Sequence, residues 1–307
     1  MNSGKMKQQA VNPFVRQRYF NRASQVSWRE FAAHRDQITS RLEAVAAPAD
    51  AFRSLCVLGA GNCNDLDLVR LTSHWSKIRL MDIDAEAMQA GVAHQFQTAT
   101  ETSPKRHQPI EITACDLTGA MEHCHEITRT PSSEAIAKLR RALALLPALA
   151  QVQERFSAVA STCLLSQLID VVQHSVGASN PELPSLAELV RLQHLRTLAE
   201  LTAPGGTMLL FADFVSSETV PELPGAPKEA LPVFMEKVLR EHGCFTGMNP
   251  SNICRLLNQP PLASYWAEPP TMSEPWLWNL GPRTYLVTAI VGRRKQISSP
   301  LSVSLTA

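Results

Sequence analysis

The stretch of sequence that decides the fold runs from Leu55 to Leu68 and reads Leu-Cys-Val-Leu-Gly-Ala-Gly-Asn-Cys-Asn-Asp-Leu-Asp-Leu. A short apolar run ends at a turn that contains Gly59 and Gly61, and a helix start follows. Glycine permits a tight turn and a close approach of a ligand to the backbone, while the first amides of a helix supply hydrogen-bond donors. The pattern predicts a strand, a glycine-rich loop and a helix. Because many α/β proteins place glycine at such a turn for geometry alone, the rest of the chain must decide its role.

Acidic residues follow the next two predicted strands. Asp82 ends the run Ile78–Met81, about 20 residues after the glycines, where a carboxylate can accept hydrogen bonds from ribose hydroxyls. Asp116 follows the run Ile110–Ala114, near the sheet edge at which open α/β folds bind ligands. Asp84 stands just before a helix start, so it fits an N-cap as well as a ligand contact.

Short apolar runs alternate with helical stretches from Leu55 onward, the order that builds a parallel sheet with helices on both faces. The predicted strands are Leu55–Leu58, Ile78–Met81, Ile110–Ala114, Ala158–Ala160, Thr207–Phe211 and Tyr285–Val291. Helical insertions are expected at 117–155, which includes a helix over Ser133–Leu146, and at 166–203, where a proline-punctuated loop leads into the helix Leu186–Leu201. Prolines also predict loops over Glu218–Pro227 and Pro260–Pro275.

Apolar residues recur at helical spacing between Tyr19 and Val45, which predicts helices before the loop-forming Pro48. Since the glycine pattern begins only after this segment, we expect residues 1–50 to form a helical cap that closes a substrate pocket. The alternative is that its aromatic side chains pack against the outer helices of the sheet. Residues 51–295 are expected to form the core domain, and the serine-rich residues 296–307 a flexible tail.

Composition limits the class of partner. The 307 residues carry 29 Lys and Arg against 28 Asp and Glu, so no global field attracts nucleic acid or an anionic membrane, and a small-molecule partner is expected. Apolar runs such as Ala142–Ala150 are too short to cross a bilayer, and the start of the chain is polar. Seven scattered cysteines without a C-x-x-C pair favour reduced thiols and a cytoplasmic location.

Together these features resemble the class I, Rossmann-like superfamily of S-adenosylmethionine-dependent methyltransferases. The resemblance covers roughly Leu55 to Gly292 and includes Ala203-Pro-Gly-Gly-Thr at the entry to the fifth strand. A strand, a turn and a strand over 276–291 are similar to the antiparallel hairpin with which the family ends its sheet. The implied fold is a doubly wound α/β fold with a mostly parallel seven-stranded sheet, an antiparallel C-terminal hairpin and an N-terminal helical cap.

The resemblance implies S-adenosyl-L-methionine as the cofactor. The loop backbone would bind its methionine moiety, Asp82 its ribose, and Asp116 with the Leu117 amide its adenine. The predicted cofactor-binding residues are Gly59, Ala60, Gly61, Asp65, Asp82, Ile83, Asp116, Leu117 and Thr162. The chain departs from the family pattern at Val57, usually an acid, and at Cys63, often a glycine. Asp65 and Asp67 could replace the missing acid near the cationic methionine end, or could simply complement a helix dipole.

The implied activity is methyl transfer to a small-molecule acceptor with an oxygen or nitrogen nucleophile. An in-line displacement at a sulfonium needs positioning in a dry site rather than a fixed base, so no catalytic residue is predicted. The substrate-binding candidates are Tyr19, Trp28, Gln167 and Trp278. Core packing is the alternative for each aromatic residue.

Two other functions share part of this pattern. An NAD(P)-dependent oxidoreductase would need a glycine where Asn64 stands, and it does not explain Asp116 or Pro204-Gly205-Gly206. A non-catalytic binding module with a methyltransferase fold is supported by the loop departures. The run Glu-His-Cys-His-Glu at 122–126 contains zinc-ligand types, but adjacent side chains rarely converge on one ion, so no metal site is predicted.

Overall fold

The computed structural model of the protein describes residues 12–46, 52–99, 109–151, 154–241 and 243–296. The predicted boundary near residue 50 and the predicted tail beyond Gln296 lie outside these residues. Within them, one mixed sheet carries helices on both of its faces.

Eight strands form this sheet in the described part of the chain: β1 (Ser54–Leu58), β2 (Lys77–Asp82), β3 (Ile110–Ala114), β4 (Phe156–Thr162), β5 (Thr202–Ser216), β6 (Thr271–Met272), β7 (Trp276–Asn279) and β8 (Thr284–Arg293). The order is β3-β2-β1-β4-β5-β8-β6, with β7 also paired to β8. Strands β1 to β5 run parallel, whereas β8 is antiparallel to β5 and forms the C-terminal hairpin with β7. The predicted fold class is confirmed, with one strand more than the predicted seven. The addition is the two-residue β6, inside a stretch that its prolines predicted as a loop.

The helices of the described residues are α1 (Pro13–Ser24), α2 (Ala32–Ala44), α3 (Leu68–His74), α4 (Ala85–Ala99), α5 (Met121–Arg129), α6 (Ser133–Ala144), α7 (Leu165–Val176), α8 (Leu183–Leu201), α9 (Leu231–Arg240) and α10 (Pro250–Leu257). Helix α5 lies within the helical insertion predicted at 117–155, in the polar run after β3. Helix α7 is a correction, because it replaces the first part of the loop predicted after β4. Both bury residues at helical spacing, and the prolines of the second segment come only after α7 has ended.

The two faces of the sheet are covered by different helices. In β1, Leu55 and Val57 face a core that includes α2, α3 and α4, whereas Cys56 and Leu58 face a core that includes α5 to α8. This alternation follows from the two-residue period of a strand, and burial on both faces explains why β1 is apolar throughout. The carboxyl ends of β1 to β5 therefore meet at one edge, where loops and helix starts collect.

The Pro204-Gly205-Gly206 segment lies inside β5 rather than before it. Phe156 pairs with Thr202, but the next pair along β4 joins Ala158 to Thr207, so residues 203–206 bulge out of the register. Gly205 has a φ of +76°, and a Cβ on Gly206 would lie 2.7 Å from the Ser157 carbonyl oxygen. Glycine is required here because a side chain would meet backbone.

Candidate active site

The glycine loop is held by the neighbouring strand and helices. Gly59, with a φ of +79°, donates its amide to the Met81 carbonyl oxygen at 2.8 Å. A Cβ on Gly59 would lie 2.8 Å from the Leu164 Cβ, and a Cβ on Gly91 of α4 would meet the Asn62 carbonyl oxygen. Glycine is thus needed at the loop and again beneath it, because α4 and the start of α7 approach so closely.

Asp82 ties the loop to the end of β2. Its carboxylate accepts a hydrogen bond from the Gly61 amide at 3.0 Å and another from the Asp84 amide at 3.0 Å. The side chain is only 3% exposed, and this burial raises the pKa of its carboxyl group. One amide bond to each oxygen leaves acceptor capacity for a further hydroxyl.

Asp84 and Asp116 both stabilise helix starts. The Asp84 carboxylate accepts from the Ala87 amide at 3.2 Å, which is the N-cap alternative considered for this residue. Asp116 accepts from the Thr118 amide at 2.9 Å and from the Met121 amide at 2.9 Å, and so organises the start of α5. Asp116 lies beside Asp82 at the sheet edge, since the Cys115 amide donates to the Asp82 carbonyl oxygen at 2.9 Å.

The remaining predicted cofactor residues lie around this loop. Ala60 and Leu117 are buried and Ile83 is half-buried. Thr162, at the end of β4, is buried and donates its hydroxyl to the Gly59 carbonyl oxygen at 3.0 Å, so its visible role is to hold the loop. Asp65 lies further along the loop, with its Oδ1 buried and 3.3 Å from the His34 Nε2.

The two loop acids, Asp65 and Asp67, have different surroundings. Val57 is fully buried in β1, so its side chain offers nothing to a ligand at the loop. Cys63 has a φ of +57°, a backbone conformation that glycine usually supplies. Asp65 is the loop acid on the β4 side, whereas Asp67 accepts from the Arg70 amide at 3.0 Å and caps α3. The helix-end explanation therefore applies to Asp67 and not to Asp65.

Helix α1 contacts the segments that follow β1, β2 and β4. Its Asn21 donates to the Asp84 carboxylate at 3.1 Å, at the start of α4, and its Ser24 carbonyl oxygen accepts from the Asn64 side chain at 2.8 Å. At its other end, Gln17 donates to Gln167 of α7 at 2.9 Å, and Arg16 forms an ion pair with Asp170. These contacts place α1 across the glycine loop.

Helix α2 packs differently, because Ile38 and Leu42 are fully buried in the core beside α3. Its His34 is also buried and accepts a hydrogen bond from the Trp276 indole nitrogen at its Nδ1, at 3.0 Å. That bond leaves the ring proton on Nε2, which faces Asp65. The His34 ring stacks on Trp278 with 4.5 Å between centroids.

The four predicted substrate residues do not form one group. Tyr19 is 56% exposed on α1 and contacts Phe20. The Trp28 ring lies beneath the Arg35 guanidinium, 3.4 Å from centroid to carbon. Gln167 donates to the Cys163 carbonyl oxygen at 3.0 Å, close to the end of β4, and Trp278 is buried against His34. Gln167 and Trp278 therefore lie at the sheet edge, whereas Tyr19 is exposed. Trp28 is half-buried between Arg35 and His94 of α4.

Asp213, near the end of β5, is a buried acid that was not among the residues predicted from the sequence. Its side chain is 5% exposed, and the Ser166 hydroxyl lies 2.7 and 2.9 Å from its two carboxylate oxygens. Burial, opposed by the bond from Ser166 and reinforced by the charge of Asp65, raises the pKa of Asp213 to about 7. An acid inside the apolar run Leu-Leu-Phe-Ala-Asp-Phe-Val was the available signal.

The polar groups at this edge suit the predicted cofactor. S-adenosylmethionine presents a sulfonium, an ammonium, two ribose hydroxyls and an adenine amine as positive charge or donors, together with one carboxylate. The edge presents carboxylates, from Asp65, Asp82 and Asp116, whereas a dinucleotide pyrophosphate would need cations or free amides. The nearby Arg35 donates instead to the Trp28 and Asn64 carbonyl oxygens, at 2.9 and 3.1 Å.

In the described part of the chain, no group of three metal-ligand side chains is assembled, and no helix is long and apolar enough to cross a membrane. The run 122–126, which contains zinc-ligand residue types, lies on α5. There Glu126 pairs with Lys138 at 2.9 Å and Cys124 is buried.

The sheet order and the antiparallel hairpin agree with the fold predicted from the sequence. The solved structures to which the chain is similar include methyltransferases of low sequence identity. An arsenic(III) S-adenosylmethionine methyltransferase from Chlamydomonas reinhardtii is 12% identical, with a TM-score of 0.41, over 87% of this chain and 74% of its own. A SAM-dependent methyltransferase from Methanosarcina mazei is 11% identical, with a TM-score of 0.43, over 80% and 95%. An rRNA methylase from Streptococcus thermophilus is 10% identical, with a TM-score of 0.39, over 84% and 93%.

No protein-family model and no curated protein sequence matches the chain.

Proposed function

We propose that this protein is an S-adenosyl-L-methionine-dependent methyltransferase. The observation that carries the proposal is the joined glycine loop and strand end, where the Gly61 amide bonds to the buried Asp82 carboxylate beneath α1. This arrangement fixes two positive-φ glycines beside an acceptor of ribose hydroxyls. Asp116 and the Leu117 amide lie next along the edge, where the adenine would bind, and Asp65 lies toward β4, where the cationic methionine end would bind.

The cofactor supplies an electrophilic methyl group when it is bound. The chain's own part is to orient and enclose: the loop backbone and Ile83 position the nucleoside, Thr162 holds the loop through the Gly59 carbonyl, and α1 covers the edge from Arg16 to Ser24. Excluding water and aligning the acceptor are the main sources of rate in such a displacement.

The acceptor in this proposal is a small molecule rather than a nucleic acid. The balanced charge of the chain supports this, as does the closure of the sheet edge by α1, which leaves little room for a large acceptor. The seven free cysteines favour the reducing cytoplasm as the compartment of the reaction.

A methyl-transfer assay with labelled S-adenosylmethionine and a pool of small metabolites tests the proposal. We expect label in a small product and production of adenosylhomocysteine, and a matched assay with total RNA as acceptor should give none. Cofactor binding without label transfer to either pool would support the non-catalytic binding module instead.

A further inference from the structure

Asp213 is a buried carboxylate with unused acceptor capacity. It stands two residues beyond Phe211, the last residue of β5 that pairs with β4, so it lies at the carboxyl edge of the sheet. The Ser166 hydroxyl lies within hydrogen-bond distance of both of its carboxylate oxygens. An ionised carboxylate can accept about four hydrogen bonds, and buried polar groups in folded proteins normally find their partners.

Aromatic rings and a second acid lie around Asp213. Burial raises the pKa of Tyr285 on β8, and the charge of Asp213 contributes to this rise. The Tyr285 ring packs against Trp278, with 5.0 Å between ring centroids. Trp278 stacks on His34, whose Nε2 lies 3.3 Å from Asp65 Oδ1. Asp65 also acts electrostatically on Asp213, so these residues form one group around Asp213.

The buried Trp278 Nε1 of this group has no hydrogen-bond partner in the described structure, and the buried Asp65 Oδ1 faces the His34 Nε2 at 3.3 Å. Arg35 acts electrostatically on Asp65. Arg283 donates to the Tyr285 hydroxyl at 3.1 Å and forms an ion pair with Glu218 on the exposed side. Two carboxylates among aromatic faces favour a positively charged ligand, because cations bind both acids and the faces of aromatic rings.

We propose that Asp213 binds the protonated amine of the methyl acceptor and removes its proton. This inference rests on the proposed function and assigns its acceptor class as an aromatic or aryl-alkyl amine. The ammonium first transfers a proton to the Asp213 carboxylate. The nitrogen lone pair then forms a bond to the methyl carbon as the carbon–sulfur bond breaks, and the sulfur keeps that electron pair as a neutral thioether. The methylated nitrogen carries the positive charge, and Asp213 returns its proton to solvent after product release.

The titratable groups that face Asp213 fit this role. Burial and the charge of Asp65 on the glycine loop raise the pKa of Asp213, whereas the Ser166 hydroxyl on α7 lowers it. The resulting pKa of Asp213 is about 7. Burial raises the pKa of Tyr285 on β8 and of Cys163 before α7, so both stay protonated at neutral pH. A base with a pKa near the working pH is the most effective, and the rate should rise with pH up to about 7.

A purely structural role is the alternative. The side chain of Asp213, which belongs to β5, lies beside Ser166 in the first turn of α7. A carboxylate in this place would stabilise the helix dipole. Asp213→Asn separates the two roles, because the amide keeps the bond from Ser166 but cannot take a proton. Asp36→Asn is the matched control, since Asp36 is exposed and pairs with Arg70 at 2.7 Å away from the site.

The test measures binding and turnover separately. Calorimetry should give adenosylhomocysteine affinities within about threefold for the parent, Asp213→Asn and Asp36→Asn proteins. With adenosylhomocysteine bound, the parent and Asp36→Asn should bind tryptamine and not 4-ethylphenol, and Asp213→Asn should bind tryptamine at least about tenfold more weakly. Methyl transfer to tryptamine should fall about 100-fold or more in Asp213→Asn, the usual effect of losing a general base.

The pH dependence of methyl transfer distinguishes the two roles, because losing a purely structural residue would leave it unchanged. The rising limb near pH 7 should vanish in Asp213→Asn and move to higher pH in Ser166→Ala, because the bond from Ser166 lowers the pKa. Binding of 4-ethylphenol in place of tryptamine, or undiminished turnover in a folded Asp213→Asn, would overturn the inference while leaving the proposed function intact. A loss of adenosylhomocysteine binding in Asp213→Asn alone would make Asp213 a cofactor contact. A parent protein that binds no adenosylhomocysteine would remove the proposed function and this inference together.

Discussion

The two halves of the carboxyl edge use their polar groups in opposite ways. Under β1, β2 and β3, Asp82, Asp84 and Asp116 each accept hydrogen bonds from backbone amides, and these bonds fix the shape of the loop. Beside β4 and β5, Asp213 is buried and Asp65 is half-buried, and each has acceptor capacity left over. The first half is thus preorganised by the chain itself, whereas the second half keeps acceptors that are available to a ligand.

The largest expected effect comes from removing α1, which covers both halves. Deletion of residues 1–26 should lower methyl transfer about 100-fold or more, because the acceptor loses its enclosure, while adenosylhomocysteine affinity stays within about tenfold. Folding should survive, since α1 buries only Pro13 and Asn21. Thermal melting, calorimetry and turnover measure the three quantities.

The control for that deletion is Ile38→Ala in α2, which should cost about 2–5 kcal/mol of unfolding free energy because Ile38 is fully buried in the core. Intact turnover after loss of α1 would show that this helix is not a cap. Unfolding after its loss would show that it belongs to the core.

The next effect concerns the preorganised half. Asp82→Ala should weaken adenosylhomocysteine binding about 10- to 100-fold through the lost hydrogen bonds to ribose. It should also lower the unfolding free energy, because the Gly61 and Asp84 amides lose their acceptor, at about 1–3 kcal/mol for each buried donor. Asp84→Ala is the control: losing its N-cap should cost about 1 kcal/mol of stability with little change in affinity. Equal affinities for the parent and Asp82→Ala would remove Asp82 from the cofactor site.

A smaller effect should appear in the pH dependence of stability. The folded-state pKa of Asp213, about 7, lies above its unfolded value, so the folded protein holds a proton that the unfolded chain releases. The resulting stabilisation is fully present below about pH 4 and is lost as the pH rises toward 7, by at most about 1.4 kcal/mol per pH unit. Denaturation at several pH values should therefore show that the unfolding free energy of Asp213→Asn increases relative to that of the parent protein as the pH rises. A constant difference between the two proteins would contradict the burial of an ionisable Asp213.

The smallest effect is expected at Thr162, which joins the two halves. Thr162→Val keeps the shape of the side chain but leaves the Gly59 carbonyl oxygen without its 3.0 Å hydrogen bond, so the unfolding free energy should fall by about 1 kcal/mol. Cofactor affinity should change less than in Asp82→Ala. A larger loss of affinity than of stability would make Thr162 a direct ligand contact.

The sequence predicted the preorganised half well because its signals are local. Gly59, Gly61 and Asp82 are marked by their positions at the ends of apolar runs, and strand burial on both faces makes those runs continuous. Element bounds were less accessible: β5 extends to both sides of the predicted Thr207–Phe211, since its bulge at 203–206 is defined by pairing with β4.

The second half was predicted only in part: Asp65 and Trp278 were candidates, but their grouping with His34 and Asp213 is produced only by the fold. His34, Asp65, Asp213 and Trp278 come from α2, the glycine loop, β5 and β7, and no spacing in the sequence relates them. Tyr19 was selected for its aromatic side chain, yet it lies exposed on the outer side of α1, because the spacing did not settle which face of that helix meets the sheet. The roles of all these residues toward a ligand stay predictions.

Calorimetric titration of the purified protein with adenosylhomocysteine, and separately with NAD, tests the central claim most directly. The carboxylates at the glycine loop predict one-to-one binding of adenosylhomocysteine with micromolar affinity and no heat of binding for NAD. Micromolar binding of NAD with no signal for adenosylhomocysteine would contradict the methyltransferase assignment.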